Sequence, residues 1–296
     1  MAIVLGLLVA ITYGAGDFLG GLAAKRSATM AVVIGSFGVA AVLLGVVTVG
    51  WMAIGDPPTP TTNDLWLGVG TGLIAPFGIG LLYQGLATGR MSVVAPITAV
   101  VAASVPLAWG LFEGERPSSG ALVGVAMALV AVILISGAPT PEAHRADATA
   151  LPLAAVVGPA MGSGLAFGVI FVLLGSTSAD AGLWPLVVAR PLAVTLTVLA
   201  AAILARRAHR ALGPSIVPSR SAWPYVVGAG VLDITANAFY LAGTNAGLLS
   251  IVAVLSSLYP AATVVLARIF LDERLHRLQI AGLALAALGA AAMAAA

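Results

Sequence analysis

The sequence predicts an all-α membrane protein with ten transmembrane helices, arranged as two related halves of five helices each. Two observations predict this fold class. The 296 residues are 60% hydrophobic and only 8% charged, whereas about a quarter of the residues in a soluble domain are charged. In addition, the stretch from Gly85 to Gly124 is followed by a second, similar copy later in the chain.

The composition limits the environment and the classes of partner. Because so few polar side chains cannot cover a chain of this length, lipid must solvate most of the exterior. The net charge is +2, and the basic residues are scattered among loops, which argues against nucleic acid as a partner. The chain has no cysteine, which excludes disulfides and thiolate metal sites. The first residues lack the basic segment of a cleavable signal peptide, so we expect the first helix to be retained.

The internal repeat shows how the chain is divided. A shift of 158 positions, the distance from Gly85 to Gly243, aligns the two copies without a gap. Each copy contains an apolar helix, a short charged break with a Glu-Arg pair, and a second apolar helix. A repeat of about half the chain indicates a duplicated domain rather than a solenoid. The matched residues include Ser92-Val93-Val94-Ala95 with Ser250-Ile251-Val252-Ala253, and Glu115-Arg116 with Glu273-Arg274.

The first five spans are bounded by charged, proline or turn residues. A span takes about 20 mainly apolar residues. The first ends at Lys25-Arg26, a proline-rich loop at 56–64 follows the second, Gly89-Arg90 follows the third, and a charged break at 113–119 separates the fourth from the fifth. The predicted spans are Ala2–Leu22, Thr29–Ile54, Leu65–Thr88, Met91–Phe112 and Gly120–Ala138.

The second five spans follow a polar stretch at 139–151, whose composition suits a flexible linker. The linker separates a first unit, residues 2–138, from a second unit, residues 152–296. A turn at 176–181 and a long basic loop at 206–221 bound the seventh span. Since each unit has an odd number of spans, the second enters the membrane from the opposite side, which predicts an inverted repeat. Its spans are Pro152–Gly175, Gly182–Ala205, Ala222–Thr244, Leu248–Leu271 and Leu278–Ala295.

Lysine and arginine predict the orientation of the chain. Ten of the 13 lie in loops one, three, five, seven and nine, and Arg116 alone lies in a loop on the opposite side. Cytoplasmic loops carry an excess of positive charge. We therefore expect these five loops to be cytoplasmic and both termini to lie outside.

Two halves of five spans, each with a helix, a Glu-Arg break and a glycine-rich helix, resemble the drug/metabolite transporter superfamily. The most similar branch is the ten-helix EamA type, in which the seventh span often carries an arginine, as Arg190 does here. The resemblance covers essentially the whole chain. It implies a secondary transporter whose inverted halves enclose a central cavity that opens alternately to each side. Bacterial members of this kind are often drawn with cytoplasmic termini, the reverse of the orientation predicted here from charge.

Three ionisable residues stand out far from the ends of their spans, where such groups are expensive and mark functional sites. These are Asp17, Arg190 and Asp233. Two carboxylates and one guanidinium leave one carboxylate without a permanent partner, and burial disfavours its charged form, as a proton-coupled carrier requires. Arg190 could instead bind a substrate carboxylate, or an ion pair could simply hold helices together. The predicted substrate-binding residues are Tyr13, Asp17, Tyr83, Gln84, Arg190, Asp233, Asn237 and Tyr240.

The remaining polar residues are predicted to have structural roles or no role in a site. Glu115 and Glu273 lie at span ends, where capping of the next helix and local pairing are favoured over a role in transport. The three histidines lie in loops without the spacing of a metal site. No nucleophile elbow or nucleotide-binding loop is present. We therefore expect no metal, no cofactor and no enzymatic activity, and energy from a gradient or from exchange.

The sequence thus predicts a secondary active transporter of small metabolites or drug-like solutes, acting as an exporter by alternating access with proton coupling or exchange. The sequence does not distinguish this exporter from an uptake permease of the same fold. The alternatives from other classes are an intramembrane enzyme that acts on lipids and a channel or scaffold. The expected partners are a small-molecule substrate and the lipid bilayer, not nucleic acid, and a homodimer is left open. The expected location is the bacterial inner membrane, as a multi-pass protein.

Overall fold

The computed structural model describes residues 1–55, 58–86, 91–137, 153–207, 216–270 and 275–296, with side chains except at 83–86, 91–96, 153–156 and 204–207. All regular elements in this part of the chain are helical, which confirms the all-α class. The helices are α1 (Ala2–Ala24), α2 (Thr29–Ile54), α3 (Thr62–Leu86), α4 (Met91–Phe112), α5 (Ser119–Ser136), α6 (Leu153–Gly175), α7 (Trp184–Arg207), α8 (Trp223–Asn245), α9 (Leu249–Ser256), α10 (Tyr259–Phe270) and α11 (Arg277–Ala295), with a 3-10 turn at Ala179–Ala181.

The helices match the predicted spans to within about three residues at each end. Within the described ranges, nine segments are long and apolar enough to cross a membrane, and Ile97–Phe112 adds a shorter apolar segment in the fourth span. The predicted linker, 139–151, lies outside the described residues.

The ninth span differs from the prediction because it is broken into two helices, α9 and α10. Pro260 has no amide hydrogen to donate, and a proline disfavours helical geometry at the residue before it. The Ser257 amide still donates to the Ala253 carbonyl at 3.0 Å, and a new turn begins where the Ala261 amide donates to the Leu258 carbonyl at 2.9 Å. The break therefore places Tyr259 at the start of a helix in the middle of the span.

The pairing of α5 with α11 repeats the same close contact at matched positions. A Cβ added at Gly124 would lie 2.7 Å from the Gly289 carbonyl oxygen, and one added at Gly282 would lie 3.0 Å from the Ala131 carbonyl oxygen. The repeat shift maps Gly124 onto Gly282 and Ala131 onto Gly289. The two contacts are therefore reciprocal, and each lets the helix backbones approach closely, as small residues do in membranes.

A second matched pair of contacts involves Gly72 in α3 and Gly230 in α8, which the repeat shift also relates. A Cβ at Gly72 would lie 2.7 Å from the Ala189 carbonyl oxygen in α7, and one at Gly230 would lie 2.6 Å from the Ser36 carbonyl oxygen in α2. The first contact holds α3 against α7 beside Arg190. These reciprocal contacts support the inverted repeat, which stays a prediction.

At one face of the bundle, the carboxylate of Asp64 joins the two halves; this residue is 1% exposed. It accepts hydrogen bonds at 2.8 Å from the amide and hydroxyl groups of both Thr61 and Ser178. At the opposite face, the Ser219 amide donates to the Ser27 hydroxyl at 3.1 Å, and the Ser219 hydroxyl donates to the Arg26 carbonyl at 2.9 Å.

The Glu115 carboxylate also joins the two halves, which differs from its predicted role. It was expected to cap the next helix, α5, but Ser118 does so by accepting from the Ala121 amide at 3.1 Å. Glu115 instead accepts from the amides of Leu249 at 2.6 Å and Ser250 at 3.1 Å, at the first turn of α9. The matched residue, Glu273, lies outside the described residues.

Candidate functional site

A cavity of about 220 Å³ lies within the helix bundle and is lined from both halves. Its polar lining includes the three ionisable residues predicted from the sequence. Its apolar lining is rich in aromatic rings. The lining residues that bear on function are Tyr13 and Asp17 from α1, Phe37 from α2, Phe167 and Phe171 from α6, Arg190 from α7, Asp233 and Asn237 from α8, and Tyr259 from α10.

Arg190 and Asp233 form an ion pair across α7 and α8. The Arg190 Nη2 atom lies 2.5 Å from the Asp233 Oδ2 atom, and the two side chains are 9% and 28% exposed. The guanidinium carbon of Arg190 lies 5.1 Å from the centre of the Phe37 ring, a cation–π distance. The Nε atom of Arg190 is buried without a hydrogen-bond partner among the described residues. The Arg190 guanidinium therefore neutralises the negative charge of the Asp233 carboxylate.

Asp17 is the carboxylate without a partner. Within the described residues it makes no hydrogen bond or ion pair, although it lines the cavity and its side chain is exposed there. It lines the same cavity as Asp233 and Tyr259. Asp17 is therefore a carboxylate that faces an accessible internal space.

The structure brings together five of the predicted site residues at this cavity. They are Tyr13, Asp17, Arg190, Asp233 and Asn237, whose Nδ2 donates to the Asp233 carbonyl at 2.7 Å. The side chains of Tyr83 and Gln84 lie outside the part that the structure describes.

Tyr240 was expected to share a cavity-facing side of α8 with Asp233, but it does not line the cavity. It is fully buried, and its hydroxyl donates to the Phe171 carbonyl at 3.0 Å. Its ring lies 4.8 Å from the Phe171 ring. Tyr240 thus supports the cavity wall by holding α6 against α8, and Phe171 lines the cavity.

Tyr259 lines the cavity and was not among the predicted site residues. The signal that could have identified it is the Tyr-Pro pair in an otherwise helical span, because a proline there breaks the helix. The rings of Phe37, Phe167 and Phe171 carried no such signal, since phenylalanine is common in any apolar span. A group of three or more side chains able to hold a metal ion is absent from the described residues.

The fold and the cavity define a polytopic helical membrane protein with an internal, charged cavity between its two halves. A family model described as the EamA-like transporter family matches residues 1–137 and 156–295. The chain therefore belongs to the EamA-like transporter family, within the drug/metabolite transporter superfamily, which confirms the resemblance seen in the repeat.

A solved crystal structure of a protein supports the same fold. It is 18% identical in sequence to this chain, with a TM-score of 0.68, and the alignment covers 98% of this chain and 95% of the other. No curated protein matches the chain.

Proposed function

We propose that the protein is a secondary active exporter that carries small solutes through the cavity by alternating access, coupled to protons or to exchange. The family to which the chain belongs is a family of transporters, not of enzymes. We further propose the bacterial plasma membrane as its location. The observation that carries this proposal is the Asp17 carboxylate, which lines the cavity without a partner among the described residues.

An unpartnered carboxylate inside a transmembrane bundle can couple two bound species. A charged group without a counter-ion is costly inside a membrane-spanning segment. A bound proton removes the charge, and a bound solute can compensate it instead. Because one carboxylate cannot hold both at once, binding of the solute releases the proton, which is the thermodynamic basis of exchange.

The roles of the two carboxylates follow from the ion pair. Asp233 contacts Arg190 directly, so it serves to neutralise and position the guanidinium. Asp17 is then the carboxylate available for a proton or a solute. The cavity is lined from both halves, which suits a mechanism in which the halves move relative to each other around a central site.

The proposal is tested with purified protein in proteoliposomes. A panel of radiolabelled amino acids, nucleosides, sugars and cationic dyes is supplied in turn, with an imposed pH gradient or with unlabelled solute on the far side. We expect at least one class to move in response, and Asp17→Asn to lose the response to the pH gradient by about tenfold or more, equivalent to about 1.4 kcal/mol.

Glu113→Gln is the control, because Glu113 is exposed in the loop between α4 and α5. It should transport like the wild type. Movement of no solute in the panel under either gradient would contradict the transport proposal. A full pH response in Asp17→Asn would contradict the role of Asp17.

A further inference from the structure

The balance of charge in the cavity identifies the kind of solute that fits it. Among the described residues, its charged lining consists of Asp17, Asp233 and Arg190, and the last two neutralise each other. We infer that the cavity binds a compact organic monocation with a flat apolar part, whose ammonium group contacts the Asp17 carboxylate. This inference rests on the proposed function, since it takes the bound molecule to be the transported solute.

Arg190 is poorly placed to bind a substrate carboxylate. Its Nη2 atom already contacts Asp233, and its guanidinium lies over the Phe37 ring. Because Asp233 already balances the charge of the guanidinium, a substrate carboxylate would add a second uncompensated negative charge to the cavity beside Asp17. Removing an unpaired charge from water is strongly unfavourable. The arrangement therefore disfavours anions and also zwitterions that need both charges matched.

Aromatic rings stand where the apolar part of a cation would lie. Tyr13 is one helical turn before Asp17 on the same face of α1, and Tyr259 lies across from it on α10. The Phe171 ring is 6.4 Å from the Tyr13 ring. The faces of such rings attract ammonium groups, and their edges and faces pack against other flat rings. Asp17 and these rings thus supply charge and stacking to the same cavity.

The size of the cavity limits the cation to a small one. Its volume of about 220 Å³ is below the range of roughly 300–1,000 Å³ that is usual for pockets of drug-sized ligands. A single-ring amine meets this limit, whereas a large cationic dye does not.

Three ligands that share a phenyl ring and a two-carbon chain test the inference by changing only the charged group. They are phenethylamine, a cation; phenylalanine, a zwitterion; and 3-phenylpropionate, an anion. Binding to the purified full chain is measured at neutral pH by calorimetry and by the shift in thermal unfolding that a ligand of the folded state produces. We expect phenethylamine to bind more tightly than the other two by about tenfold or more.

Two variants locate the bound ammonium. Asp17→Asn should weaken phenethylamine binding by about tenfold or more, and Asp17→Glu, which keeps the charge, should retain most of it. Glu113→Gln should leave the affinity unchanged. If Asp17→Asn does not fold, the order of the three ligands on the wild type still decides the question.

Tighter binding of 3-phenylpropionate or phenylalanine would overturn the inference, as would the absence of phenethylamine binding at millimolar concentration. Undiminished binding in folded Asp17→Asn would do the same. These failures are distinct from failure of the proposed function. If phenylalanine binds best and is transported, the carrier role stands; if phenethylamine binds but no gradient moves it, the ligand class stands and the carrier role falls.

Discussion

At the scale of single residues, Arg190 and Asp233 stabilise the bundle only as a pair, whereas Asp17 has no ion-pair partner in the part of the chain that the structure describes. Removing one member of a buried pair leaves an uncompensated charge, and removing both does not. We therefore expect Arg190→Gln and Asp233→Asn each to lower the unfolding temperature more than the double variant does, when thermal unfolding is followed in detergent.

Asp17→Asn provides the matched comparison, because it removes a carboxylate that has no partner within the described residues. It should leave the unfolding temperature unchanged or raise it, while Asp233→Asn lowers it. Equal losses of stability in the two variants would show that Asp17 has a structural partner.

The sequence was sufficient to place these ionisable residues in a cavity but not to pair them. A charged residue inside an apolar span can be identified from the sequence alone. Which carboxylate meets Arg190 depends on the approach of α7 to α8, which no local pattern encodes. The same limit applies to Tyr240, whose spacing from Asp233 suggested a shared face and whose hydroxyl in fact reaches Phe171 within the core.

At the scale of helices, Glu115 shows that a repeated motif can act on a distant element. Its carboxylate accepts two amide hydrogens at the first turn of α9, where negative charge is favoured by the helix dipole. We expect Glu115→Gln to lower the free energy of unfolding by about 1 kcal/mol, the usual contribution of a cap. In a thermal melt this corresponds to a fall of about 2–4 °C.

Glu113→Gln is again the control, since Glu113 has the same chemistry in the same loop but is exposed. It should unfold at the same temperature as the wild type. A similar loss in both variants would mean that the general charge of the loop, rather than the contact with α9, sets the stability.

The predicted spans were accurate because bilayer thickness requires about 20 apolar residues, whatever the partners of a helix. The predictions of local structure were wrong where contacts between distant parts of the chain determine the structure. The break before Pro260 divides the ninth span, while α4 continues through the matched positions, Val101 and Ala102. The prediction that Glu115 caps the adjacent helix failed because its partner lies 134 residues away.

At the scale of the whole molecule, the orientation predicted from charge can be measured directly because the chain contains no cysteine. The loop between α4 and α5 should face the outside, and the loop before α8 should face the cytoplasm. We expect Glu113→Cys to react with a membrane-impermeant maleimide in intact cells. We expect Ser221→Cys to react only after the cells are permeabilised.

Both positions are exposed in the structure, so access within the protein does not limit labelling. The reverse pattern would place both termini in the cytoplasm and overturn the orientation. The cysteine-free wild type sets the background.

The contacts made by Asp64 have a consequence for the energy landscape of the protein. In a carrier whose two halves were identical, the conformations open to one side and to the other would be related by two-fold symmetry and would have equal free energy. In the mechanism proposed above, Asp64 would break that degeneracy, because the repeat shift puts Ala222 at the matched position. Among the described residues, the other face instead has the contacts of Ser219 and the stacking of Arg26 on the Tyr225 ring. We expect the Ser219 amide to exchange its hydrogen for deuterium faster than the Ser178 amide, and Asp64→Ala to bring the two rates together. Slower exchange at Ser219 would place the weaker barrier at the Asp64 face instead.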